Sequence, residues 1–143
     1  MSSHGLTRLF TAIGSMILTV MLLSCTSKEP APPLDEGVQA GAVALKCYKA
    51  LYIENRAETF LRGHAFSGSL SDDHRQQLLQ LYNQHVMKVN RQHGGVTRIE
   101  FSRAERDTAL NVMQVFLKMN FADATDEEVV VPMVLADDKW YMK

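Results

Sequence analysis

The sequence predicts an α+β domain in which N-terminal helices pack on a curved antiparallel β-sheet of about four strands. Apolar residues recur at helical spacing from Val38 to about Arg62, and again from about Asp72 to Gln92. After Gly94-Gly95 the apolar period changes from about 3.6 to about 2, which is the period of a strand. Because the helices come first and the strands follow, we expect two separate layers rather than alternating βαβ units.

The first helical segment changes the angle of its apolar stripe near Ile53-Glu54-Asn55, which predicts a bend or two helices there, and Gly63 ends it. Cys47 lies on the apolar side and is expected to be buried. The second segment follows Ser69-Leu70-Ser71-Asp72, where a hydroxyl can cap the first N–H groups and an acid meets the positive end of the helix.

Four strands are predicted after Gly95. Residues 96–103 alternate in polarity, and residues 110–121 are apolar on both sides, as in a central strand. Residues 128–135 form a Val-rich strand in which Pro132 cannot donate a ladder hydrogen bond, which indicates an edge or a bulge. Residues 140–143 form a short last strand, and we expect Trp140 to pack inward and fasten it to the sheet.

Composition excludes one class of partner. The formal net charge is −1, and acidic and basic residues are mixed along the whole chain. A nucleic-acid-binding domain carries clustered Lys and Arg on one face, and this chain has no such cluster. The length fits one domain after a removable leader.

The first residues have the pattern of a secretory signal. A short polar start that includes Arg8 precedes an uncharged apolar run from Leu9 to Leu23. A membrane-spanning helix needs about 20 apolar residues, so this run is short for one. An ordinary cleaved signal and a retained anchor are the alternatives to the interpretation that follows.

Leu22-Leu23-Ser24-Cys25 resembles the lipobox of bacterial lipoproteins. The resemblance implies cleavage before Cys25 and a lipid on that cysteine, with residues 1–24 as signal peptide, residues 25–37 as lipidated Cys and Pro-rich tether, and residues 38–143 as the domain. Residue 26 is Thr rather than Asp, which by the sorting rule of enteric bacteria favours the outer membrane. We therefore expect a membrane-anchored protein of a bacterial cell envelope.

The order of helices and then strands, ending in Val-Leu-Ala-Asp-Asp-Lys-Trp-Tyr-Met, resembles the cone-shaped fold of nuclear transport factor 2, ketosteroid isomerase and the SnoaL-like proteins. It is most similar to lipoproteins of that superfamily that have no characterised function. The resemblance spans about Gly37 to Lys143 and implies a sheet curved into a cone. Asp138 departs from the pattern, because a turn Gly is common at this position.

Three polar residues are candidates for lining a pocket in such a cone. Asn111 is the polar residue on an otherwise apolar strand face, and Tyr82 and His85 lie on the helix stripe that covers the sheet. Together they fit the few convergent polar groups of an apolar pocket. Alternatively, Asn111 lies at the rim, and Tyr82 and His85 are satisfied core residues. No metal ligands and no cofactor motif are expected, because the histidines do not converge.

The function predicted is a non-enzymatic, membrane-anchored domain that binds a small ligand or another protein. An isomerase of this fold needs a carboxylate base inside the cone, and Glu100 faces away from its apolar neighbours Ile99 and Phe101. The alternative is an enzyme of the ketosteroid isomerase or dehydratase type. Expected partners are the bilayer through acylated Cys25, a small apolar ligand or envelope protein, and a second copy through the sheet, with no nucleic acid.

Overall fold

The computed structural model describes residues 35–143. Cys25, the leader and most of the predicted tether lie outside the described residues. A short 3-10 turn, Ser67–Ser69, connects the second and third helices. The elements run in the order α1 Glu36–Tyr52, α2 Ala57–Arg62, α3 Asp72–His93, β1 Val96–Asp107, β2 Val112–Phe121, β3 Asp126–Ala136 and β4 Lys139–Met142.

The four strands form one antiparallel sheet in the order β1-β2-β3-β4. β2 is central, as predicted, and pairs Leu117 with Phe101 on β1 and with Val129 on β3. β1 contains two register shifts, between Val96 and Arg98 and between Phe101 and Arg103. Such bulges bend a strand and increase its twist, which curves the sheet around the helices. The predicted α+β fold is confirmed.

The core lies between the inner face of the sheet and α1. Alternate residues of β2 point to this face and are buried: Met113, Val115, Leu117, Met119 and Phe121. α1 presents small residues to them, and Ala40 and Ala44 are 0% exposed. A side chain at Gly41 would overlap the ring of Phe101, so this glycine permits the close approach of α1 to β1.

The predicted break in the first helical segment is confirmed. α1 ends at Tyr52 and α2 begins at Ala57. Between them Asn55 has φ 55°, a left-handed conformation that Asn tolerates better than most residues. The N–H of Arg56 donates to the carbonyl of Ala50 at 2.7 Å, so the chain folds back on the end of α1.

α3 has the predicted bounds but packs lightly. The Ser71 hydroxyl accepts a hydrogen bond from the His74 N–H at 3.4 Å, and Gly94 ends the helix with φ 76°. Of the 22 residues of α3, only Val86 is buried. The helix therefore covers the side of the cone and contributes one buried residue, Val86, to its core.

The predicted edge position of Pro132 is wrong for the strand as a whole, since β3 lies between β2 and β4. The carbonyl of Pro132 accepts from the N–H of Lys143 at 2.9 Å, just beyond the end of β4. A residue's N–H and C=O point to the same side of a strand, so the missing donor faces the place where β4 has ended. The proline is tolerated there because β3 is locally an edge.

The connector after α2 covers the outer edge of β4. The N–H of Met142 donates to the carbonyl of Gly63, and the N–H of Ala65 donates to the carbonyl of Met142, both at 2.8 Å. Trp140 faces inward and is 7% exposed, which confirms that it packs against the core. These bonds satisfy backbone groups that an open edge would leave unpaired.

Candidate ligand-binding cleft

A cleft of about 190 Å³ opens at one end of the cone. Its walls are the C-terminal end of α1, the last turns of α3, and the neighbouring parts of β2 and β3. The lining residues are Tyr52, His85, Lys88, Val89, Gln92, His93, Met119, Phe121, Glu127 and Val129. α1 ends at Tyr52, at the edge of the cleft. Beyond that residue β2 and β3 are faced by α3, and the cleft lies between α3 and these strands.

The floor of the cleft is apolar. Met119 and Phe121 come from the inner face of β2 and are 3% and 7% exposed. Val129 lies on the same face of the sheet, on β3 opposite Leu117, and Val89 of α3 also lines the cleft. A ligand that covers these groups removes apolar surface from water, which is the main favourable term for binding.

Polar groups form the rim. The rings of Tyr52 and His85 meet edge to face, with centroids 5.9 Å apart. Burial, with smaller contributions from Tyr48 and the Glu127 carboxylate, raises the pKa of Tyr52 to about 12. The Tyr52 phenol therefore stays protonated at neutral pH and can donate a hydrogen bond to a bound molecule. Lys88 and Gln92, one turn apart on α3, add further donors.

The closed side of the cleft is fixed by contacts between α3 and the β2–β3 turn. The His93 ring stacks on Phe121 at 4.6 Å, and His93 Nδ1 lies 2.8 Å from Asp123 Oδ2. The hydroxyl and backbone N–H of Thr125, followed by the His93 ring, lower the pKa of Asp123 to about 2. The Asp123 N–H also donates to the His93 carbonyl at 3.1 Å. This wall is therefore positioned before any ligand arrives.

The structure separates the three predicted pocket residues. His85 lines the cleft. Tyr82 instead packs edge to face on Phe60, with centroids 5.0 Å apart, in a ring cluster between α2 and α3. The two side chains share the helix stripe, but they face different neighbours because Tyr82 lies one turn nearer to α2.

The placement of Asn111 on a strand face is corrected. Asn111 lies in the β1–β2 turn, is exposed and has φ 52°. β2 starts at Val112, so the predicted start at Leu110 included two turn residues. Eight residues separate Asn111 from Met119 in the cleft, which is about 26 Å along a strand. Asn111 is therefore at the opposite end of the sheet.

Five polar residues of the cleft were not predicted: Tyr52, Lys88, Gln92, His93 and Glu127. Lys88 follows His85 by three residues and so had a signal, since positions i and i+3 share a helix face. His93 ends the same helix. Tyr52 and Glu127 enter the cleft through tertiary packing and strand register, which the sequence pattern did not reveal.

The ionisable groups of the cleft lie at its rim. Glu127 is the acid that lines it, and its side chain is exposed. In residues 35–143 no polar or charged residue is buried. Cys47 lies in the core, and burial raises the pKa of its thiol, which suppresses the nucleophilic thiolate. The rim supplies hydrogen bonds and charge, and the floor supplies apolar surface.

Within residues 35–143, no group of three His, Cys, Asp or Glu side chains converges as metal ligands would. Over the same residues, no helix combines the length and the apolar character needed to cross a bilayer.

Comparison with known structures defines the fold. No protein-family model matches the chain, and no curated protein matches it significantly. A Campylobacter jejuni crystal structure, provisionally described as an NTF2-like transpeptidase, is similar with a TM-score of 0.56 and 17% sequence identity. The match covers 71% of this chain and 94% of that chain. The described domain therefore has the α+β cone fold of nuclear transport factor 2, and at this identity the likeness concerns the fold alone.

Proposed function

We propose that this protein is a bacterial envelope lipoprotein, anchored by an acylated Cys25, whose cone domain binds a small ligand without transforming it. The observation that carries the proposal is the cleft of about 190 Å³ with an apolar floor and a polar rim. Ligand sites in proteins are commonly concave, mostly apolar and supplied with a few placed polar groups.

The cleft and the point where the chain enters the described domain lie at opposite ends of α1. The described residues begin at Asp35, next to the N-terminus of α1 at Glu36. The cleft lies at the other end of α1, beside Tyr52. The 17 residues of α1 cover about 25 Å. An anchor on the N-terminal side of α1 and a cleft about 25 Å away are therefore compatible.

Binding without chemistry is favoured over the isomerase or dehydratase alternative. Such an enzyme raises the pKa of an acid by placing it among apolar groups, so that the acid can transfer protons near neutral pH. Glu127 is exposed at the rim, and Glu100 accepts a hydrogen bond from Asn120 on the outer face of the sheet at 3.3 Å. Neither acid has the environment that this chemistry requires.

A matched pair of neighbouring valines tests the cleft. Val129 lines it, whereas Val130 points to the outer face of β3 and is 49% exposed. Ligands are first sought by saturation-transfer NMR with a library of small ring compounds and metabolites. Val129→Phe should abolish binding of the hits by filling the cleft, and Val130→Phe should retain it. Hits that bind both variants equally would contradict the cleft as the site.

The anchor is tested separately. Cys25→Ala should leave the chain unprocessed or release it from the membrane fraction, because the acyl chains supply the anchoring free energy of about 0.8 kcal/mol per buried CH₂. Ser27→Ala changes a nearby residue outside the lipobox and serves as the control. Identical migration and partition of wild type and Cys25→Ala would reject the lipoprotein proposal without affecting the cleft.

Self-association through the sheet is a second proposal, because the outer face carries an apolar patch. Its members are Phe116, Val130, Pro132, Val134 and Tyr141, of which Val130 is exposed. The Arg103 guanidinium lies 3.6 Å from the Phe116 ring centroid. Arg103 also forms a salt bridge with Glu128 at 3.0 Å. Val130→Lys should lower the sedimentation coefficient if two copies meet here. An unchanged coefficient at all concentrations would reject the patch as a self-association surface.

A further inference from the structure

Two opposite charges line the cleft and do not pair with each other. Glu127 lies on β3 and Lys88 on α3, and both side chains line the cleft. Neither makes a salt bridge with any residue of the described range 35–143. The three acids that surround Glu127 behave differently: Asp123 pairs with His93 at 2.8 Å, Asp126 with Lys118 at 3.4 Å, and Glu128 with Arg103 at 3.0 Å. Glu127 is thus the acid of this group that lacks a counter-ion.

Strand register explains why Glu127 differs from its neighbours. Glu127 pairs with Met119, a buried residue of the inner face, whereas Asp126 and Glu128 pair with Asn120 and Lys118 on the outer face. The outer face supplies Lys118 and Arg103 as cations. On the inner side Glu127 lies near Tyr52 of α1 and apolar groups, and Lys88 is the lysine that lines the same cleft. A ligand that carries a cation satisfies this carboxylate, and one that carries an anion satisfies Lys88.

The size of the cleft limits the rest of the ligand. An engineered apolar cavity of about 150 Å³ accommodates benzene. The cleft measures about 190 Å³, so it holds one ring or one branched aliphatic group with a few more atoms. The floor of Val89, Met119, Phe121 and Val129 matches such a group in polarity. A ligand with one apolar group and two opposite charges therefore fits the walls, floor and volume together.

We infer that the cleft binds a free α-amino acid with an apolar side chain. Its ammonium group lies at Glu127, its carboxylate at Lys88, and its side chain against the floor. Tyr52 and Gln92 also line the cleft, and the Tyr52 hydroxyl and the Gln92 amide can add hydrogen bonds. The inference rests on the proposed ligand-binding function and names the class of ligand for that site.

The test uses the protein as bacteria make it, purified in a mild detergent, and phenylalanine as the probe. Affinity is measured by NMR titration against three analogues. Phenethylamine lacks the carboxylate, 3-phenylpropionate lacks the ammonium, and N-acetylphenylalanine amide lacks both charges. A charge pair at an exposed site contributes up to about a fivefold change in affinity. We expect each single loss to weaken binding about fivefold, and the double loss to weaken it more.

Two variants assign each charge to its wall. Lys88→Met should weaken phenylalanine about fivefold and leave phenethylamine unchanged, because that analogue has no carboxylate to lose. Glu127→Gln should weaken phenylalanine to a similar degree and leave 3-phenylpropionate unchanged. Lys46→Met and Glu100→Gln remove the same charges away from the cleft and should change neither affinity.

The outcomes separate the inference from the proposed function. If N-acetylphenylalanine amide binds as tightly as phenylalanine in wild type but not in Val129→Phe, the cleft binds ligands and the amino-acid inference is wrong. Lys88→Met and Glu127→Gln could also weaken the binding of phenylalanine, phenethylamine and 3-phenylpropionate equally. Lys88 and Glu127 would then not bind the carboxylate and the ammonium group separately, and the inference would again be wrong. If no compound in this set binds while other library hits do, the same conclusion follows. Absence of all binding would overturn both proposals.

Discussion

The two long helices of the domain, α1 and α3, differ in how many of their residues are buried. α1 has 17 residues, of which seven are buried, whereas α3 has 22 residues, of which one is buried. α1 lies directly on the sheet and supplies much of the core. α3 stands at the side and leaves a space over the end of the sheet. The contrast separates the part of the molecule that stabilises the fold from the part that offers a site.

Side-chain size explains the contrast. The sheet-facing positions of α1 include Gly37, Ala40, Gly41 and Ala44, which let its backbone approach the strands closely. α3 reaches its neighbours through rings instead. Tyr82 contacts Phe60, and His93 contacts Phe121. Tyr82 and His93 are 11 residues apart, which is about 16 Å along a helix. His85, Lys88 and Val89 lie between them in the sequence and line the cleft.

The largest expected effect concerns Cys47 on α1. Its thiol is 6% exposed, and burial raises its pKa, so a thiol reagent should modify it only when the domain unfolds. With the 5–15 kcal/mol stability of an ordinary domain, labelling should be about a thousandfold slower, or more, than in urea. Peptide-resolved mass spectrometry measures Cys47 apart from Cys25. Rapid labelling of the folded protein would show that the packing of α1 leaves the Cys47 thiol accessible to the reagent.

Trp140→Ala tests the packing of α1 against β4. Trp140 is buried on β4, which contacts α1, and truncating a buried Trp costs about 3–5 kcal/mol. Urea unfolding should show this loss, and the fluorescence of wild type should be blue-shifted and poorly quenched by iodide, since Trp140 is the only Trp in the chain. Tyr141→Ala, on the outer face, is the matched control. A red-shifted wild-type spectrum with equal stabilities would contradict the packing.

Gly41→Val tests the close approach of α1 to β1. The new side chain overlaps the Phe101 ring, and overpacking of this kind costs about 1–3 kcal/mol. Ala42→Val places the same side chain at the next, exposed position and should cost only the helix propensity, about 0.5 kcal/mol. Equal stability of the two variants in urea would show that α1 tolerates a wider separation from the sheet.

The smallest expected effect concerns the attachment of α3 near Tyr82. His64 lies among the rings of Phe60, Phe66 and Tyr82, and burial lowers its pKa despite backbone hydrogen bonds that act the other way. The folded state thus holds His64 neutral, and the unfolded state binds the proton more readily. Stability contributed by neutral His64 is present above about pH 6.5 and is lost as the pH falls below it.

His64→Gln should therefore flatten the decrease of unfolding free energy between about pH 7 and pH 5. His74→Gln changes an exposed residue whose ring contacts Ser71, and it should keep the slope of wild type. Urea titrations at a series of pH values measure both. An identical slope in wild type and His64→Gln would show that this ring cluster does not respond to protonation.

The sequence predicted the elements better than the site. Helical spacing located α1, its break and α3, because apolar stripes and the residues around Asn55 and Ser71 act locally. Strand limits were less accurate: β1 extends to Asp107, four residues beyond the alternating segment, because bulges shift its pattern. The turn residues Leu110 and Asn111 were assigned to β2 because Leu110 continues its apolar run, although it is 58% exposed.

The site depends on strand register and on the packing of α1 along the sheet, which local sequence patterns do not determine. Glu127 faces the cleft because β3 pairs with β2 in a register that sets it opposite Met119. One residue of slip would turn it to the outer face. Tyr52 faces the cleft because α1 ends there, short of the end of the sheet. His85 was identified because it lies on the stripe of α3, where a single helix period is sufficient evidence.

The closure of the β4 edge by the segment after α2 has a consequence for how the chain folds. Gly63 and Ala65 bond to Met142, and Trp140 contributes to the core beneath α1. These contacts join parts of the chain about eighty to a hundred residues apart, and the entropy lost in closing such loops slows folding. The helices can form early, but the core cannot close until β4 has been synthesised. Nascent chains that lack β4 should therefore remain open to proteases, and the native state should form only after β4 has been synthesised.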